Sequence, residues 1–291
     1  MRRTLLLFLA LLLCLTMMGC HPEEHVQIAT TTAPVYEFTS RLCAGTQISV
    51  GLIISESVSC LHDYTLQTGQ MRMLESAQLL ILSGAGLEEF LSDTIPADKT
   101  VIDASAAIHL LCPETEHDHE HEDHHHEQDP HIWLNPANAA IMAKNICAGL
   151  QTQYPDHSEQ FEKNLTILLE ELDALDQYGK KQLSSLGNRQ LITFHDGFAY
   201  LADAYNLAIL HAIEEESGSE ASAGELIELC KLIRSHDVPA IFTEQNGSTS
   251  AAKIISSEMG VPIYTLDMAM SRGGYFQSMY RNIDTLKEAL G

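Results

Sequence analysis

Residues 158–186 carry Phe161, Leu165, Leu168, Leu169, Leu172 and Leu175 at helical spacing. The pattern predicts one amphipathic helix of up to about 29 residues, roughly 40 Å long. A helix of that length spans the full height of a domain, so whatever lies before and after it must pack along it. The rest of the chain falls into two halves on either side of this spine.

Both halves alternate short apolar, β-branched runs with helical stretches. Before the spine, strands are expected at 26–31, 47–54, 79–82 and 100–102, and helices at 34–43, 70–77 and 136–153, with a turn at 83–86 leading into a short helix through Leu91. Asn135 followed by Pro136 reads as an N-cap with proline in the first turn. After the spine, strands are expected at 190–194, 207–212, 239–243 and 261–266. Helices are expected at 197–205, 223–236, 248–259 (with Ser248 as cap) and 275–290. Such alternation predicts an α/β fold of two similar lobes, each a mostly parallel sheet flanked by helices. The expected boundaries are a leader over 1–19, an N-terminal lobe over 20–157, a connecting helix over 158–187 and a C-terminal lobe over 188–291.

Four polar residues share one topological position. His62, His131, His195 and Asp267 each follow a strand or precede a helix, two in each half. In open α/β sheets ligands bind beyond the carboxyl ends of the strands, so the four are expected to meet in the cleft between the lobes. Their separations of 69, 64 and 72 residues exclude a small zinc-finger clip and require a large scaffold. Three imidazoles and a carboxylate form a four-coordinate set suited to Zn2+, whereas Mg2+ and Ca2+ demand more oxygen. Taken singly, each histidine is as well explained as a helix cap or a surface residue. Glu244 occupies a comparable strand end and is expected beside the ligands rather than among them. His211, at the end of another strand, is the reserve candidate.

His131 closes a longer tract, residues 117–133, that holds seven of the fifteen histidines of the chain. Its other six, His117, His119, His121, His124, His125 and His126, alternate with acids, and nothing apolar precedes Ile132. A loop over 113–129 with accessory, weak metal binding is the expectation, with an acidic linker as the plain alternative.

At the start of the chain, Arg2 and Arg3 precede an apolar run at 5–15 that is too short for an ordinary transmembrane helix. Met17-Met18-Gly19-Cys20 then resembles the lipobox of bacterial lipoproteins, in which Cys20 would be the lipidated first residue of the mature protein. An ordinary cleaved signal with a chance cysteine is the competing reading. The net charge of −24 argues against a nucleic-acid partner and suits attraction of cations. The five cysteines after Cys20 match no zinc-ribbon or CxxC spacing. Cys147 and Cys230 read as buried free thiols, and Cys60 draws attention by lying two residues before His62.

At these residues the chain resembles a known family. Leu61-His62-Asp63-Tyr64, Asp129-Pro130-His131-Ile132-Trp133-Leu134-Asn135-Pro136 and Thr193-Phe194-His195-Asp196-Gly197-Phe198 are similar to motifs of the cluster A-I (ZnuA/TroA-like) solute-binding lipoproteins. Ala240-Ile241-Phe242-Thr243-Glu244-Gln245 and Thr265-Leu266-Asp267 extend the likeness over essentially the whole mature chain. These proteins serve bacterial ABC importers for zinc and manganese. The resemblance implies that His62 and His131 are the metal ligands of one lobe and His195 and Asp267 those of the other. It also implies that the long helix is a rigid connector. Histidine at 195, where manganese-specific members tend to carry a carboxylate, favours Zn2+ over Mn2+. Leu61 departs from the proline usual before the first ligand histidine, which weakens the assignment of His62.

The expected function is therefore capture of Zn2+ outside the cytoplasm and its delivery to an ABC permease with its ATPase subunit. The protein would act as a monomer held to the cell membrane by a lipid anchor at Cys20, without catalysis. A closed four-ligand shell leaves no open position for an activated water, and the chain has no HExxH, GxSxG or phosphate-binding glycine loop. The alternatives are a manganese- or iron-binding member of the same family, a metallohydrolase with water in the fourth position, and a surface adhesin with structural metal.

Overall fold

The computed structural model of the chain describes residues 26–55, 64–111, 128–213, 221–245, 247–270 and 274–291. Cys20, Cys60, His62, Cys112 and the six tract histidines His117, His119, His121, His124, His125 and His126 lie outside the described residues, as does most of the acidic stretch 214–222.

In the N-terminal lobe, β1 (Ile28–Thr30), α1 (Ala33–Leu42), β2 (Val50–Leu52), α2 (Thr68–Ser76), β3 (Leu79–Leu82) and β4 (Thr100–Asp103) follow in order. The strands form a four-stranded sheet in the order β2-β1-β3-β4, with every pair parallel. The stretch expected as a helix through Leu91 makes only a 3-10 turn, Glu89–Leu91. Its approach is spent otherwise: the Glu88 carboxylate turns inward and accepts from the backbone N–H of Ser83 (2.7 Å) and Gly84 (3.0 Å).

Two helices then stack side by side, α3 (Pro136–Gln153) and α4 (Ser158–Gln182). Asn135 caps α3, its Oδ1 accepting from Ala137 N at 2.9 Å, with Pro136 at the first position as expected. The spine α4 has 25 residues, about 37 Å. It buries Phe161, Leu165, Leu168, Leu172 and Leu175. It stops at Gln182, short of the expected 186. The guanidinium of Arg189 donates to the carbonyls of Leu183 and Ser184 and so satisfies groups that a further turn would have used. Gly179 on the buried face is required by contact: a Cβ there would stand 2.3 Å from the Tyr205 ring.

The C-terminal lobe repeats the plan with β5 (Gln190–Thr193), α5 (Ala199–Ala204), β6 (Ala208–Ala212), α6 (Ala223–His236), β7 (Ile241–Glu244), α7 (Ser250–Met259), β8 (Ile263–Leu266) and α8 (Tyr275–Leu290). Its sheet order is β6-β5-β7-β8, again all parallel. Each lobe thus has the order 2-1-3-4, and the expected repeat of architecture is present. Ser222 closes a capping box at the start of α6 with Glu225. Helix α7 begins two residues later than expected, at Ser250, whose N–H meets Ser248 Oγ at 3.4 Å.

One apolar core runs from the N-terminal sheet through α3 and α4 to α8, so the spine is packed into both lobes. A second, smaller core lies where α6 and α7 pack in the C-terminal lobe. Burying such a leucine in α4 is worth about 2–5 kcal/mol by the usual cost of truncation to alanine. Cys147 is buried and Cys230 half-buried, and both are free thiols. No helix among the described residues is long and apolar enough to cross a membrane.

Candidate metal centre between the lobes

Three of the expected site residues stand together. His195 follows the end of β5 by two residues, Glu244 is the last residue of β7, and Asp267 immediately follows β8. Adjacent parallel strands therefore deliver them to one edge of the C-terminal sheet. His131 reaches the same place from the other lobe. It heads the 3-10 turn Ile132–Leu134, and its ring meets that of His195 edge to face, with centroids 5.4 Å apart and planes at 81°.

Each side chain is held by neighbours. His131 donates its backbone N–H to Asp129 Oδ1 at 2.8 Å, and its Nδ1 lies 2.8 Å from the same oxygen. A carboxylate accepts, so this contact places the imidazole proton on Nδ1 and the lone pair on Nε2. His195 Nδ1 lies 3.7 Å from Glu244 Oε2, an ion-pair distance beyond hydrogen-bond reach. Gly197 lets the chain pass close beneath: a Cβ there would lie 2.7 Å from both His195 and the Met268 methyl. Asp267 is fixed most firmly. Its Oδ1 accepts from Ala269 N and its Oδ2 from Ser278 Oγ, each at 2.8 Å, and Asn282 holds its backbone at both N–H and C=O. Arg281 adds a cation 3.7 Å from Oδ2. Each carboxylate oxygen has two lone pairs, so capacity for a further partner remains.

The electrostatics are those of crowded acids around two imidazoles. Burial pushes the Glu244 carboxyl up to about 7; His131 pulls the other way and Asp267 adds to the rise. Burial also raises Asp196, with Asp129 reinforcing and His131 opposing. Asp129 is 6% exposed, and its Oδ2 is buried with no hydrogen-bond partner among the described residues. A divalent cation would satisfy such a group of acceptors and relieve their mutual repulsion. No three histidine, cysteine, aspartate or glutamate side chains among the described residues converge closely enough to hold a metal ion by themselves. His62 is not among those residues.

Among the described residues, His211, His236 and His157 have their contacts elsewhere. His211 sits on the edge strand β6 and acts electrostatically on Glu225 at the start of α6. His236 contacts Gln190 at the end of α6, and His157 packs near Phe161 at the start of α4. Sequence reasoning gave no role to Asp129, two residues before His131, or to Ser278 and Asn282 one turn apart on α8. The i−2 spacing of Asp129 was the only local signal among them.

Residues 28–289 match the family described as the zinc-uptake complex component A, periplasmic. The chain is 31% identical over 97% of its length to the zinc-binding lipoprotein AdcA of Streptococcus pneumoniae serotype 4, of which it covers 60%. It is 30% identical over 92% of its length to the high-affinity zinc uptake system protein ZnuA of Bacillus subtilis strain 168, of which it covers 88%. It spans less than two thirds of the AdcA relatives. Among solved structures, a ZnuA crystal structure superposes with a TM-score of 0.80 at 27% identity, covering 91% of this chain and all of that one. The Zn(II)-bound ZnuA-like domain of S. pneumoniae AdcA superposes with a TM-score of 0.76 at 28% identity, covering 91% of this chain and 98% of that one. With the family match spanning both lobes and the spine, the chain belongs to the ZnuA family of zinc-uptake components.

Proposed function

We propose that this protein captures Zn2+ outside the cytoplasm and delivers it to the permease of an ABC importer, whose ATPase drives uptake. The observation that carries the proposal is the meeting of His131 and His195, from opposite lobes, among the buried carboxylates of Asp267 and Glu244. The ligands are His62, His131, His195 and Asp267, with Glu244 beside them orienting His195. Imidazole nitrogen with one carboxylate favours zinc over the all-oxygen cations, and Mn2+ is the alternative cargo. The AdcA and ZnuA relatives are named for zinc, which agrees.

Residues 1–19 act as a lipoprotein signal, and Cys20 anchors the mature chain to the cell membrane as a monomer. The lobes comprise 20–157 and 188–291, joined by the segment 158–187 that carries the helix Ser158–Gln182. The six tract histidines, His117 to His126, bind metal weakly and supply the cleft. Capture rather than catalysis follows from a shell filled by four protein ligands, which leaves no site for an activated water.

The test is a competition titration with a zinc chelator on wild type and His131→Ala. One tight zinc per wild-type chain and none in the variant is the expected result; equal affinity in the two overturns the assignment. Because imidazoles must be neutral to bind, affinity should fall as pH drops below about 6–6.5. Zinc affinity unchanged between pH 7.5 and 5 would count against a histidine-rich shell.

A further inference from the structure

The segment that carries His131 belongs to the N-terminal lobe by sequence but is tied to the C-terminal lobe at both of its ends. On one side, Trp133 Nε1 donates to Met268 O at 2.8 Å, across 135 residues of sequence. Met268 is the neighbour of Asp267. On the other side, Tyr200 Oη donates to Asp129 O at 3.1 Å and accepts from Leu111 N at 2.9 Å. Tyr200 lies in α5, two residues after Phe198, whose ring is 6.4 Å from that of His195. A third bond, from Tyr275 Oη to Trp133 O at 2.9 Å, comes from α8, the helix that also holds Asp267 through Ser278 and Asn282. Trp133, Tyr200 and Tyr275 are all 1% exposed.

We infer that Trp133 and Tyr200 are positioning residues of the metal centre, setting the separation of His131 from His195 and Asp267 by clamping the His131 segment to the C-terminal lobe. The inference rests on the zinc-binding reading above. A tetrahedral shell tolerates ligand displacements of only about half an ångström, and two lobes meeting across a cleft do not supply that precision unaided. The clamp supplies it locally. Two of the bonds end on backbone carbonyls within two residues of His131, at Asp129 and Trp133, and the third runs from the Trp133 indole to the carbonyl of Met268, beside Asp267. Interlobe contacts serving only general stability have no reason to converge in this way.

The clamp also holds together the two residues, Leu111 and Asp129, that flank the histidine tract. Asp129 N donates to Leu111 O at 3.1 Å, and the Tyr200 phenol bridges the same two residues. Leu111 and Asp129 are thus joined in a neck of three hydrogen bonds, and His131 lies two residues beyond it. The phenol of Tyr200 is shared between both strands of that neck, so one oxygen atom fixes the neck and the ligand segment together.

The test uses the full mature chain with zinc and with cobalt(II), whose visible d–d bands report coordination geometry. Tyr200→Phe removes one oxygen and Trp133→Phe one N–H donor. Each should speed zinc release to a chelator about fivefold, the worth of one neutral hydrogen bond, and both should alter the cobalt spectrum. Leu172→Ala, in the spine and away from the site, lowers the melting temperature while leaving release rate and spectrum unchanged. Wild-type release rates and spectra in both Tyr200→Phe and Trp133→Phe overturn the inference, as does an equal change in Leu172→Ala. A wild-type chain that binds neither metal overturns the zinc reading itself, and this is seen before any substitution is made.

Discussion

The two lobes have the same sheet order and the same all-parallel pairing, yet they use the carboxyl ends of their strands in opposite ways. In the N-terminal lobe those ends close over a buried carboxylate. Glu88 accepts from Thr31 Oγ1 after β1 and from the N–H groups of Ser83 and Gly84 after β3. In the C-terminal lobe the corresponding ends put forward His195, Glu244 and Asp267 toward the cleft. One acid is spent inward on backbone donors; the others are kept for a partner. A common scaffold therefore yields one structural edge and one chemical edge. Among the described residues, the N-terminal lobe brings His131 to the cluster after β4, clamped from across the cleft.

The comparison breaks most readily at Asp267. Asp267→Asn keeps the shape of the side chain but removes the charge of the proposed ligand. Zinc affinity should fall by more than the roughly 10–100-fold typical of an outer partner, with little change in melting temperature. Glu244→Gln should cost about 10–100-fold in zinc affinity if its carboxylate orients His195 rather than binding metal, as read by the same chelator competition. The N-terminal edge should respond in the reverse sense. Glu88→Ala orphans Ser83 N–H and Gly84 N–H and should cost about 1–3 kcal/mol in denaturant unfolding, leaving the zinc affinity of the folded protein unchanged. A large zinc effect there would mean that the two edges are not functionally distinct.

The smallest effect is a pH slope. Burial raises the Glu88 carboxyl from 4.5 to about 7, more than its hydrogen bonds from Thr31, Ser83 and Gly84 lower it, with Asp103 adding to the rise. Between those values the folded state binds a proton that the unfolded chain releases. The resulting stabilisation is complete below about 4.5 and is lost as pH rises through about 7. Glu88→Gln should remove this part of the slope in unfolding free energy against pH.

Much of this was legible in the sequence because it is periodic or local. The alternation of apolar runs gave both sheets, the leucine spacing gave the spine, and Asn135-Pro136 gave the start of α3. The strand-end positions of His195, Glu244 and Asp267 followed from the same alternation. What was not legible depends on contacts between distant residues. The period of α4 continues through Leu183 and Leu186, but the carbonyls of Leu183 and Ser184 are taken by Arg189 and the helix stops. The helix expected through Leu91 is cut to one turn by the inward turn of Glu88. The phenol of Tyr200 and the indole of Trp133 act across 71 and 135 residues, and no spacing records such bonds. His62 and the tract histidines keep the roles proposed for them, outside the described residues.

The central claim is that one zinc ion is shared between the lobes. It is tested most directly on the mature chain with residues 116–127 deleted, which removes the six tract histidines and keeps both Leu111 and Asp129. Zinc stoichiometry and affinity are then measured by chelator competition for this protein and for its His131→Ala and His195→Ala variants. The account predicts one tight zinc per chain, lost on replacing either histidine. Tight binding that survives both replacements, or that disappears with the deletion alone, would contradict it.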